Sequence, residues 1–166
     1  EKLWKAEIDF AIVEGIFDKD EYHSILFSVE QFIPVCSANS AFVGRKVDFN
    51  EVLQSTLILR EKGSGTREIL DNILKEKNYS LNSFNKILEI GNMSAIKELV
   101  SSNIGITFLY ELVCKKEIEN GELSVINIPG FNITRELNFV FLKNSFYENQ
   151  YIEYFHLMKK AFLNIT

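Results

Sequence analysis

Residues 56–67 read Thr56-Leu57-Ile58-Leu59-Arg60-Glu61-Lys62-Gly63-Ser64-Gly65-Thr66-Arg67: a short apolar run, a turn with two glycines, and the opening of a helix. The apolar run has the length and closure of a buried strand. Beyond the turn, Ile69, Leu70, Ile73 and Leu74 fall on one face at helical spacing. The same order then repeats. Residues 87–90 form a strand-like run, Gly91-Asn92 a turn, and Met93, Ile96, Leu99 and Val100 a second apolar stripe. Residues 104–109 make the next strand and 111–118 a third helix stopped by Asn120-Gly121. Strand, turn, helix, strand is the pattern of a parallel sheet with crossover helices.

Outward from this centre, residues 8–13 predict a buried strand closed by Glu14-Gly15, and residues 24–35 carry two strand-like runs. A polar connection leads from there to Thr56. On the other side, residues 123–128 and 136–142 predict strands parted by Pro129-Gly130. Tyr151, Tyr154, Phe155, Met158 and Phe162 outline a C-terminal amphipathic helix. The first residues, around Leu3 and Trp4, read as the end of a helix running into a strand, so the list is expected to be part of something longer.

Composition narrows the function. The 166 residues are 46% hydrophobic with 14 Phe, which excludes a disordered tail. Lys+Arg 18 against Asp+Glu 23 leaves a net charge of −5. That balance argues against nucleic-acid binding by these residues, which needs cations to neutralise phosphates. The basic pairs Lys115-Lys116 and Lys159-Lys160 fall in helix-like segments and read as solvated faces. No run of 18 apolar residues predicts a membrane span, and no apolar core of a secretory signal follows Lys2 and Lys5. Cys36 and Cys114 lie in apolar surroundings and read as buried, reduced thiols of a cytoplasmic protein.

Ligands of open α/β sheets sit beyond the carboxyl ends of strands, where helix N-termini present free N–H groups. Two junctions qualify. At Gly63-Ser64-Gly65-Thr66, the glycines allow close approach and the hydroxyls stand beside unpaired amides; the bland reading is a helix cap. A Walker-type phosphate loop does not fit, because no Lys follows the second glycine where it is required. At Gly91-Asn92-Met93-Ser94, a plain N-cap and a ligand contact stay equally open. No catalytic residue, metal site or cofactor is expected: His23 and His156 have no partner in sequence, and Glu14 reads as a strand-end residue at the rim of a cleft.

Four segments resemble the effector-binding domain of LysR-type transcriptional regulators: Leu59–Arg67 in its glycine-rich loop, residues 91–109 in the helix and strand after it, residues 7–15 in an earlier strand, and Gly121-Glu122-Leu123 with residues 135–140 in the closing strands. Asn103 stands where that family usually has glycine, a mild change because asparagine tolerates the left-handed conformation. The resemblance implies an α/β, two-lobed periplasmic-binding-protein-like (type 2) fold with mixed, mainly parallel sheets and crossover helices. Lobe I would comprise residues 1–34 and 135–166, lacking its opening strand–helix–strand, and lobe II residues 35–134. It further implies a small-molecule inducer, an anion, held in the cleft by Ser64, Gly65, Thr66, Asn92, Met93 and Ser94, with Glu14 and Gly15 opposite. Homodimers or homotetramers are implied, with DNA contacted only through an N-terminal winged helix-turn-helix not in this sequence. An extracytoplasmic solute-binding protein of a transporter, sharing the fold, is the alternative.

Overall fold

Each short apolar run sends alternate side chains to opposite faces of a sheet, and this alternation organises the larger part of the chain. The computed structural model describes residues 2–14 and 17–163. In chain order the elements are β1 (Ala11–Glu14), β2 (Tyr22–Ser37), α1 (Phe49–Leu53), β3 (Thr56–Leu59), α2 (Gly65–Glu76), a 3-10 turn (Leu81–Ser83), β4 (Lys86–Glu89), α3 (Met93–Ser101), β5 (Thr107–Tyr110), α4 (Glu111–Glu119), β6 (Leu123–Val125), β7 (Ile133–Leu142) and α5 (Glu148–Leu163). They fall into two units: unit 1, Glu1–Glu30 with Thr134–Thr166, and unit 2, Gln31–Ile133.

In unit 2, β3 and β4 pair in parallel with Leu57 opposite Ile87 and Leu59 opposite Glu89. Ile106 joins the other side of β3 through a parallel bridge to Leu57. Two backbone bonds hold it there: Ile58 N–H to the Ile106 carbonyl (2.8 Å) and Ile106 N–H to the Thr56 carbonyl (2.9 Å). The second half of β2 runs antiparallel to β5 and to β6, Val35 lying opposite both Thr107 and Val125. The strand order is therefore β4, β3, β5, β2, β6.

Side-chain alternation gives this sheet two covered faces. Phe32, Cys36, Leu57, Leu59, Ile106 and Phe108 pack with Ile69, Leu70, Ile73 and Leu74 of α2. Ile33, Val35, Ile58 and Leu109 pack with Ile96 and Val100 of α3 and Cys114 of α4. The two cysteines, both buried and free, thus lie on opposite faces. Burial pushes the Cys114 thiol up to about 11 and also raises Cys36, so both stay protonated at neutral pH.

Helices α2, α3 and α4 end by one device. In each, a residue with positive φ (Asn78 at 61°, Asn103 at 58°, Gly121 at 72°) closes the paired backbone bonds of a Schellman motif. Asn103 adopts the left-handed conformation expected of it.

Unit 1 sets β7 between β1 and β2. Phe27, Phe139, Phe141, Tyr151 and Phe155 form its core, where α5 meets the sheet. The Phe139 ring stacks on Phe10 with centroids 4.8 Å apart and meets Phe155 edge-on at 5.6 Å. Residues 2–7 close a Schellman turn with Ala6 at φ 52°, the helix-end geometry suggested by Leu3 and Trp4.

Several expectations shift. The sheets are mixed, but among the described residues parallel pairing is limited to β3–β4 and the single bridges Leu57–Ile106 and Lys46–Asn127, while β1–β7, β2–β5 and β2–β6 are antiparallel. The parallel share is smaller than expected because the long strand β2 enters the unit 2 sheet between β5 and β6. The two runs within residues 24–35 are one strand; its polar interruption at Glu30-Gln31 is where the chain passes from unit 1 to unit 2. The strand expected at residues 8–13 begins only at Ala11, and Ile12 is half-exposed rather than buried. The polar connection before Thr56 contains α1, opened by a capping box between Asp48 and Glu51. The strand expected from residue 104 begins at Thr107, since Ile104 still serves the end of α3 by donating to the Leu99 carbonyl. No helix among the described residues is long and apolar enough to cross a membrane.

Candidate functional site

The connections leaving β3 and β4 part company. α2 follows β3 onto one face, whereas α3 follows β4 and α4 follows β5 onto the other. Where adjacent strands send their chains to opposite faces, a crevice opens beyond the strand ends, and helix N-termini border it. Three helix starts follow the ends of β3, β4 and β5 in this way: Ser64-Gly65, Asn92-Met93 and Tyr110-Glu111.

The first leaves backbone and hydroxyl groups open. Gly63, at φ +87°, turns the chain in a conformation that L side chains rarely adopt. Ser64 then takes the N-cap position with extended backbone, is 9% exposed, and makes no capping bond with its hydroxyl. The amides of Gly65 and Thr66 come too early in the helix to have intrahelical acceptors. Nothing lies within 4 Å of the point where a Cβ on Gly65 would stand, so that backbone is open. Thr66 is half-buried beside it.

The second N-terminus is committed differently. Asn92 caps α3, its side chain accepting from Ala95 N–H at 3.0 Å, which leaves its amide group free to donate. Met93 packs against the α3 side of the core. Ser94 is turned elsewhere: it lines a cavity of about 210 Å³ with Lys97, Glu98, Ser101, Glu117 and Glu122. The structure therefore sets Ser94 apart from the other expected site residues of unit 2. Glu14 closes β1 in unit 1 opposite Leu137. Gly15 lies outside the described residues.

Charges around the first turn are internally matched. Arg60 donates to both carboxylate oxygens of Glu61 at 2.8 Å, which draws the Glu61 carboxyl down to about 2. Arg67 pairs with Glu89 at 2.5 Å, holding the Glu89 carboxyl below its ordinary range. With Arg60 and Arg67 each paired to a carboxylate, the donors at the start of α2 are its first N–H groups and the Ser64 hydroxyl. The Arg67–Glu89 pair spans 22 residues and has no local signature in the sequence.

The histidines serve packing. His23 stacks on Phe141 with its Nδ1 3.4 Å from Glu148, and exposed His156 lies against Phe155. Among the described residues no group of three His, Cys, Asp or Glu side chains is placed to hold a metal ion.

Known proteins share this architecture. The HTH-type transcriptional regulator CysL of Bacillus subtilis is 26% identical over 141 residues, covering 84% of this chain and 46% of that protein. This chain thus spans about half of that relative. The regulatory domain of CcmR from Synechocystis PCC6803, solved in complex with 2-PG, superposes with a TM-score of 0.78 at 22% identity, covering 96% of this chain and 77% of that one. The bromide-bound regulatory domain of HypT from Salmonella typhimurium gives 0.72 at 15% identity, with 96% and 76% covered. Residues 1–155 match the family model described as the LysR substrate binding domain. The chain belongs to the LysR substrate-binding domain family.

Proposed function

We propose that this chain senses a small anionic metabolite for a LysR-type transcription regulator. The anion is held by the Ser64 hydroxyl, the amides of Gly65 and Thr66, the Thr66 hydroxyl and the free amide of Asn92, with Met93 as apolar lining. The observation that carries the reading is Ser64: buried at a helix start, beyond the carboxyl end of β3, with a hydroxyl that does not cap. A hydroxyl that makes no capping bond, beside amides that lack intrahelical acceptors, is available to a ligand. The similar regulatory domain of HypT is bromide-bound, which supports an anion as the ligand class.

Units 1 and 2 are read as the two lobes of one effector-binding domain, with Glu14 and Gly15 as the contribution of unit 1. Effector binding acts by stabilising one of two arrangements of a homodimer or homotetramer, which requires unequal contacts in the two. DNA contact is assigned to a part of such a regulator that this sequence does not span, in keeping with the net charge of −5. The regulator name of CysL favours this reading over a transporter's solute-binding protein, and the same membership favours a cytoplasmic sensor over an enzyme.

Calorimetric titration with sulfate and with phosphate tests the proposal. The unmodified chain is expected to bind at least one of them with one-to-one stoichiometry. Ser64→Ala and Thr66→Ala should each weaken binding about tenfold, the loss of one hydrogen bond to a charged group. No heat from either anion, or unchanged affinity in both variants, contradicts it.

A further inference from the structure

Arg67 follows Gly63-Ser64-Gly65-Thr66 directly, and its position suggests a cation that grips the anion. The structure gives it other work. Its guanidinium side chain is only 16% exposed, and Nη1 donates to the Arg60 carbonyl at 3.1 Å and to Glu89 Oε2 at 2.5 Å. Arg67 is the third residue of α2, where a positive charge opposes the helix dipole. Such a placement is tolerated when an anionic partner cancels the charge, and Glu89 is that partner.

The geometry of this bridge matters for the site. Arg60 directly follows β3, Arg67 lies in the first turn of α2, and Glu89 is the last residue of β4, opposite Leu59. Ile87, two residues earlier in β4, packs into the cluster on the α2 face, so Glu89 points to that face as well. One guanidinium thereby joins both ends of the turn at residues 60–66 to the neighbouring strand. On the far side of the turn, the Glu61 carboxylate, fixed by Arg60, stands 3.7 Å from where a Cβ on Gly91 would be. The turns after β3 and β4 are thus joined by the Arg67–Glu89 bridge and come close at Glu61 and Gly91.

We infer that Arg67 is a positioning residue of the anion site. Through Glu89 and the Arg60 carbonyl it fixes the turn so that the Ser64 hydroxyl and the Gly65 and Thr66 amides converge, and it does not itself touch the anion. This inference rests on the reading of the site given above. Both bonds come from the one nitrogen Nη1, and a lysine, whose side chain is shorter and whose ammonium is compact and strongly hydrated, holds the two acceptors less firmly.

Sulfate titration of the whole chain, unmodified and as Arg67→Lys, Glu89→Ala and the double variant, provides the test. Arg67→Lys and Glu89→Ala should each weaken sulfate roughly tenfold, as supporting residues behind a binding shell do. The double variant should be less than about twofold worse than the weaker single, because breaking the bridge once removes its effect. Thermal midpoints without sulfate separate this from a merely structural role, which would lower the midpoint and leave sulfate affinity unchanged. Tighter sulfate binding in Glu89→Ala would identify the released guanidinium as a ligand and overturn the inference. Unchanged affinity in all three variants would overturn it as well. Absence of sulfate binding by the unmodified chain would overturn the site itself, and this role with it.

Discussion

Replacing Gly105 with alanine is expected to destabilise the protein by about 3 kcal/mol or more, the cost of forcing extra volume into a closed contact. A Cβ at this position would stand 2.4 Å from the Thr56 carbonyl oxygen and 3.2 Å from Ile58 Cγ1. The nearer atom is backbone, in the strand that carries the glycine-rich turn, so it cannot swing aside. Relief would require β3 and the start of β5 to part, at the expense of the Ile58–Ile106 and Ile106–Thr56 backbone bonds. The buried Thr107 hydroxyl would also lose its 2.8 Å bond to the Ile58 carbonyl. At this chain length a change of that size lowers the thermal midpoint by roughly 6–12 °C. Gly91→Ala is the control, since the nearest atom to its added Cβ is a Glu61 carboxylate oxygen at 3.7 Å. Its midpoint should shift by no more than about 0.5 kcal/mol allows. Circular dichroism melting of the two variants decides the matter.

Phe139→Ala should cost about 3–5 kcal/mol, the range for deleting a buried aromatic ring. Phe139 is fully buried at the centre of the unit 1 core, in ring contact with Phe10, Phe141 and Phe155. Among the described residues that core has five buried members, so little remains to close over the void. Its register partner Ile12 is 39% exposed on β1, and Ile12→Ala is expected to cost under about 1 kcal/mol. The chain's single tryptophan makes the effect local and readable: Trp4 belongs to unit 1, where its indole N–H donates to Glu21 at 3.1 Å. In urea, Phe139→Ala should move the Trp4 fluorescence transition to lower denaturant at least as far as the transition seen by circular dichroism. Equal and small shifts in Phe139→Ala and Ile12→Ala would contradict the assignment of the unit 1 core.

Much of unit 2 is legible in the sequence because its elements obey single periods. Thr56–Leu59 forms the expected strand, and Ile69, Leu70, Ile73 and Leu74 all reach the core from one helix face. The errors occur where tertiary contacts overrule local pattern. Ile104 is as apolar as its neighbours, yet it is 51% exposed because its N–H closes the end of α3 on the Leu99 carbonyl and the strand starts only after it. Residues 49–53 are too short to show a helical stripe, although Asp48 and Glu51 carry the capping signal that would have found the helix.

The site is half legible for a related reason. Ser64 and Asn92 look alike in sequence, each a small polar residue ahead of a helix. Only the coordinates show that Asn92 caps while the Ser64 hydroxyl does not. Ser94 follows Asn92 by two residues, and a rotation of about 100° per residue carries it to the Glu98 and Ser101 side of α3. The pairing of Arg67 with Glu89 depends on the parallel register of β3 and β4, which no local pattern encodes.

An anion docked on the uncapped start of α2 would perturb the first amides of that helix. Backbone amide resonances followed by NMR during a sulfate titration test it most directly. The account predicts saturating shifts concentrated at Gly65 and Thr66, with Ser64 and Gly63 next. Small, non-saturating shifts spread over Lys115, Lys116, Lys159 and Lys160, with Gly65 and Thr66 unmoved, would contradict it.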